Sequence, residues 1–98
     1  MKKFDAHRVA ELDNVAVVVR DARTGEALTV QSGGAEPLSV TTVSDILAGH
    51  KVALTDLKKG EAVVKYGSVI GAAITDIAKG EHVHVHNLEG IRGRGDRA

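Results

Sequence analysis

Three of the chain's five histidines fall within five residues, in the stretch GEHVHVHN from Gly80 to Asn87. An extended backbone alternates its side chains between two faces, so His82, His84 and His86 point one way and Val83 and Val85 the other. Imidazole titrates near ~6.5, which lets it ligate a metal, shuttle a proton or donate to an oxyanion. Spacing separates these uses. Along a strand rising ~3.3 Å per residue, His82 and His84 stand about 6.6 Å apart and His82 and His86 about 13 Å apart. Neighbours can converge on one ion at Nε2 distances of ~2.1 Å, but the outer pair cannot. A three-histidine site on one straight strand is therefore disfavoured. Either two of these residues combine with a ligand from elsewhere, or the row forms one wall of a cleft completed by another chain. The plainer alternative is a solvated strand face that tolerates histidine.

His50-Lys51 and Lys65-Tyr66-Gly67 are the other polar groups beside β-rich runs. Gly49 and Gly67 flank them and permit close approach of a ligand or a second backbone. Lysine, tyrosine and several imidazoles together suit a polyhydroxy carboxylate, with lysine neutralising charge and tyrosine donating a hydrogen bond.

Turns must position these groups. TDLKKGEAV (Thr55 to Val63) and TDIAKGEHV (Thr75 to Val83) share a pattern twenty residues apart, and DARTGE (Asp21 to Glu26) keeps its Asp-x-x-x-Gly-Glu core. Asp opens such a turn by bonding to its own backbone, and Gly supplies the positive φ for the reversal. Three turns of this kind link extended segments, a pseudo-symmetry inside one small β fold. Turn chemistry alone accounts for the motif.

Val15 to Arg20 and Ala27 to Gln31 are expected to pair as an antiparallel hairpin, followed by a loop from Ser32 to Pro37. Leu38 to Thr42, Lys51 to Leu54, Ala62 to Tyr66, Val69 to Thr75 and Glu81 to Asn87 read as further strands. Ser44 is placed to cap a short helical turn, Asp45 to Ala48, stopped by Gly49. The Gly/Arg-rich stretch 89–98 reads as a tail after a domain spanning 1–88. Its Arg94-Gly95-Asp96 triplet is too short to carry an adhesion reading.

The 98 residues suffice for one domain with a modest core. Hydrophobic residues make up 43% but aromatics only 2%, so Val, Ala, Ile and Leu must build a close-packed, mainly β interior. Thirteen basic residues balance thirteen acidic ones, which leaves no field to gather nucleic acid or an anionic membrane. Phe4 and Tyr66 form no stacking platform for single strands. Without cysteine, any metal site must use nitrogen and oxygen. Charged residues interrupt the start, MKKFDAHRVAEL, and no run reaches transmembrane length, so a soluble, cytoplasmic protein is expected.

The run GHKVALTDLKKGEAVVKYGSVIGAAITDIAKGEHVHVHN, Gly49 to Asn87, resembles the N-terminal domain or small subunit of the altronate and galactarate dehydratases. It is also similar to the small subunit of sulfolactate sulfo-lyase. The resemblance rests on Gly-His-Lys, Lys-Tyr-Gly, the Gly-Glu turn and His-Val-His-Val-His-Asn in order. It implies an SAF fold, a β-clip relative of antifreeze-like domains, with at most short helical turns. It further implies one component of a lyase for a hydroxylated sugar acid, or for a sulfonated hydroxy acid, inactive alone and completed by a large catalytic subunit. Divalent iron, held mainly by that partner, is the implied metal. Carried over by position, His84 and His86 are the catalytic candidates, and His50, Lys51, Lys65, Tyr66 and Asn87 face the substrate. His82 and His84 are the candidates for touching a metal. A non-catalytic binding or assembly module of the same fold is the competing class, and a homo-oligomer is the alternative assembly for the isolated chain.

Overall fold

The computed structural model describes residues 4–90, and among them every regular element is a strand. The strands are β1 (Ala6–Arg8), β2 (Val15–Val18), β3 (Ala27–Ser32), β4 (Leu38–Thr41), β5 (Lys51–Ala53), β6 (Ala62–Lys65), β7 (Ser68–Ala73), β8 (His82–Val83) and β9 (Leu88–Gly90). Six form one sheet in the order β4-β3-β1-β2-β5-β8, and β6-β7-β9 form a second. A small, mainly β domain is what the composition and turn pattern predict. No helix among the described residues is long and apolar enough to cross a membrane.

Four Asp-x-x-x-Gly turns organise the chain, not three. The fourth is Asp45-Ile46-Leu47-Ala48-Gly49-His50, with histidine where the others carry glutamate. The turns clasp in pairs. Ala22 and Ile46 exchange backbone hydrogen bonds of 2.8 Å each, and Leu57 and Ile77 exchange bonds of 2.8 and 2.7 Å. Each aspartate reaches across the clasp instead of folding onto its own backbone. Asp45 accepts from the Thr24 N–H and Asp21 from the Ala48 N–H, while Asp76 accepts from Lys59 and Asp56 from Lys79. Gly25, Gly49, Gly60 and Gly80 close the turns at φ between 88° and 91°, where a Cβ is strained.

The aliphatic residue after each aspartate goes inward. Ala22 and Ile46 belong to one apolar cluster with Ala6, Val18, Leu28, Val30 and Val52, and Leu57 and Ile77 belong to a second with Val15, Val63, Ala73 and Val83. Each clasp thus seals one core, and the larger side chains among them each contribute about 1.5–3 kcal/mol by burial.

Two expectations change. β2 and β3 are not hairpin partners, because β1 lies between them, antiparallel to β2 and parallel to β3. Asp5 locks β1 there: its N–H donates to the Thr29 carbonyl, and its carboxylate accepts from Thr29 N–H and from Arg20. The segment 45–48 is not helical, because Ile46 is held in the clasp with Ala22. Ser44 has a different task, accepting the His82 N–H at 2.8 Å. At the other end, β9 pairs with β7 through Gly90. The remainder of the Gly/Arg-rich stretch, with Arg94–Asp96, lies outside the described residues.

Candidate functional site: an imidazole and lysine cluster at a sheet edge

β5 and β8 finish the large sheet, pairing Lys51 with Val83 and Val52 with His82. His50 leaves the fourth turn immediately before β5, so the same edge receives it from one side and the histidines of β8 from the other. Its Nδ1 lies 2.8 Å from His82 Nε2. That contact requires one ring N–H and one bare nitrogen, so it holds only while at least one of the two rings is neutral. The His50 ring stacks on His84 with centroids 3.8 Å apart and planes 15° apart, and on His82 at 5.0 Å.

The expected strand over Glu81 to Asn87 ends at Val83, and residues 84–87 turn. Asn87 causes this. It is 1% exposed, its Oδ1 accepts the His84 N–H at 2.9 Å, and its Nδ2 donates to the His82 carbonyl at 2.8 Å. The Asn87 N–H also donates to the His84 carbonyl. The alternation of faces therefore stops, and Val85 is 79% exposed instead of joining an apolar face. The turn also folds the row back: the His82 and His86 rings stand 4.9 Å apart, not the distance of a straight strand.

Burial lowers the pKa of His82, as do the neighbouring His86, His50, His84 and Lys51. Burial likewise lowers that of His84, helped by His50, Lys51 and His86. Lys51 is also lowered, first by burial and then by the charge of Lys65. Every charged neighbour in this set is a base. The cluster therefore resists gaining protons of its own. The Nδ1 of His84 is buried without a hydrogen-bond partner.

The expected residues are thus sorted. His50, Lys51, His82, His84 and His86 come together, and Lys65 is within electrostatic reach of Lys51. Tyr66 sits at the tip of the β6-β7 hairpin, 57% exposed, with the Lys65 Nζ 4.8 Å from its ring centroid. No described contact ties it to the imidazoles. Asn87, expected to face the substrate, is buried with its amide engaged beneath the turn, where it holds the backbone of His82 and His84. Sequence reasoning gave Ser44 a different task and missed Asp13, which is 4% exposed. The carboxylate of Asp13 accepts from the backbone N–H groups of Ala10, Tyr66 and Gly67 and so holds the hairpin tip. Asp45-x-x-x-Gly49-His50 was readable as a turn copy once histidine was allowed in the glutamate position.

Burial pushes the Asp13 pKa up, but the Gly67, Ala10, Tyr66 and Val9 amides outweigh it, and the net shift is downward. A depressed carboxylate stabilises the fold above its unfolded-state pKa, and that contribution is lost as pH falls through the folded value. The urea midpoint is expected to be flat from pH 7 to 5 with respect to this group and to drop below about pH 4. Asp13→Asn should remove part of that acid-side slope; an unchanged slope would show that Asp13 does not drive it.

His50, His82 and His84 each offer one ring nitrogen, and these atoms lie within 4.8 Å of one another. An all-imidazole set suits borderline divalent ions such as iron, cobalt or zinc, and suits magnesium or calcium poorly.

Fold and site together define a small all-strand module with a base-rich edge. Residues 5–90 match the family described as the altronate/galactarate dehydratase SAF domain, and the chain belongs to that family. It is 46% identical over 80 residues to altronate dehydratase of Escherichia coli K12, covering 82% of this chain and 15% of that protein. Altronate dehydratase of Bacillus subtilis is 42% identical over 89 residues, or 91% of this chain and 16% of the relative. The (2R)-sulfolactate sulfo-lyase subunit alpha of Chromohalobacter salexigens is 39% identical over 74 residues, covering 74% of this chain and 79% of that subunit. The chain therefore spans a small fraction of the dehydratases and most of the sulfo-lyase subunit.

Proposed function

We propose that this chain is the SAF component of a hydro-lyase for a hydroxylated sugar acid, lining with its imidazole edge an active site shared with a larger catalytic part. The observation that carries this reading is the convergence of His50, His82, His84 and His86 beside Lys51. Loss of water from a hydroxy acid needs a base for the proton beside the carboxylate, charge to hold the enediolate, and an acid for the departing hydroxide. Lys51 and Lys65 supply positive charge for the substrate carboxylate. The exposed His86 is placed for proton transfer and His84 for touching the substrate or its metal, with His50 and His82 fixing ring positions. Divalent iron, when bound, would polarise the hydroxyl and carboxylate oxygens. The described site holds no acidic cluster to complete such chemistry, so the chain by itself is expected to be inactive, and its working place is the cytoplasm beside its catalytic partner.

Release of sulfite from a sulfonated hydroxy acid is the second reading. It is favoured by the 79% coverage of the sulfo-lyase alpha subunit, a protein of similar extent. Both reactions begin with the same proton abstraction, so the same wall serves either.

In the complex with its catalytic partner, His84→Ala and His86→Ala are each expected to lower kcat by about a hundredfold or more while leaving assembly intact. Turnover of altronate, galactarate and sulfolactate, measured alongside co-elution of the two parts, checks this. Near-normal residual kcat with broken assembly would replace the catalytic wall by a docking module.

A further inference from the structure

We propose that His50, His82 and His84 form a binding site for one borderline divalent transition-metal ion within this chain itself. The inference deepens the reading above and rests on it for the ion's use, but not for its binding. Three observations converge. The three ring nitrogens already lie within 4.8 Å of one another. A site with metal–nitrogen bonds of about 2.0–2.1 Å needs nitrogens roughly 3.3 Å apart, so the rings, now stacked, must turn until their in-plane lone pairs meet at the ion. The His84 Nδ1 is buried with no partner, a state that protein interiors rarely leave uncompensated and that a metal bond would satisfy. Third, the ligands are mounted on fixed backbone. Ser44 and Asn87 pin the main chain of His82 and His84, and the closed turn at Gly49 delivers His50.

The fourth turn gives the site its third ligand. In its three sister copies the glutamate bends back to accept a backbone N–H, from Arg23, Lys58 or Ala78. At His50 the side chain instead crosses to His82. The substitution converts a turn-capping position into one that projects a donor over the sheet edge. Three imidazoles leave coordination positions open for water or a substrate oxygen, the arrangement of a reactive site and not of a closed structural one.

The test uses the 98-residue chain, metal-free, titrated with Co2+ and followed by visible absorption and calorimetry. One ion per chain should bind with a dissociation constant below about 0.1 mM and give ligand-field bands of low-symmetry nitrogen coordination. His50→Gln keeps an oxygen able to cap the turn as glutamate does, and should weaken binding at least about tenfold. His7→Ala, on β1, should leave it unchanged. The proposal is overturned by binding no tighter than millimolar, or by binding indifferent to His50→Gln while circular dichroism shows the variant folded. The two readings part in the assembled enzyme. Co2+ binding that disappears in His50→Gln while turnover persists sinks the catalytic wall and keeps the metal site; turnover that needs His84 in a chain binding no ion does the reverse.

Discussion

Gly80→Ala is expected to destabilise the domain by about 3–5 kcal/mol, a large part of the roughly 5–15 kcal/mol that holds a typical small domain together. Two effects add. Gly80 has φ +88°, where an alanine Cβ costs about 1–2 kcal/mol. A Cβ there would also lie inside van der Waals contact of the Thr41 carbonyl oxygen, which is backbone and cannot swing away. Gly80 is where the second clasp meets the end of β4, with the Val43 N–H donating to its carbonyl at 3.0 Å. Forcing them apart also moves His82, two residues on. Gly60 is the internal control: it occupies the equivalent turn position at φ +91° with nothing near its would-be Cβ. Gly60→Ala should lose only about 1–2 kcal/mol. Urea unfolding of both variants separates dihedral strain from the clash, and equal losses would refute the close approach.

Asn87→Ala is the second large effect, with an expected loss of about 2–4 kcal/mol. It strands the His84 N–H and the His82 carbonyl in a site where Asn87 is 1% exposed, and an unsatisfied buried polar group costs about 1–3 kcal/mol. Its functional consequence is sharper. Without the side-chain staple, residues 84–87 are free to extend, and the rings of His82 and His86 separate. Hydrogen exchange at the His84 amide should accelerate strongly, and the imidazole resonances of His82 and His84 should move toward those of exposed histidine. Asn87→Asp keeps the acceptor for His84 but loses the donor to His82 and adds charge near Glu81, so it should fall between. Unchanged protection at His84 in Asn87→Ala would show that the turn does not depend on this residue.

Much of the scaffold was legible because it is written in local pattern. β3 alternates exposed and buried residues along its length, as its sequence ALTVQS suggests. The Asp-x-x-x-Gly turns were visible from their own composition. What the turns do was not, since each aspartate bonds to a residue 17 to 27 positions away, across a clasp that exists only after both halves have folded. β1 escaped notice for a related reason. Three residues flanked by charge carry no periodicity, and their place between β2 and β3 follows from Asp5 bonding to Thr29 and Arg20.

The chain's own letters sufficed to establish a small, mainly β domain without aromatic packing, the identity of its bases, and the resemblance that the family match supports. Folding alone decided that these bases meet. His50 and His82 are 32 residues apart in sequence, and their contact depends on the antiparallel register of β5 with β8. The compact imidazole group depends equally on the side chain of Asn87, which ends the strand at Val83. Periodicity describes which face a residue occupies on a straight ribbon; where a buried side-chain hydrogen bond stops that ribbon is settled only by the contacts of the finished structure.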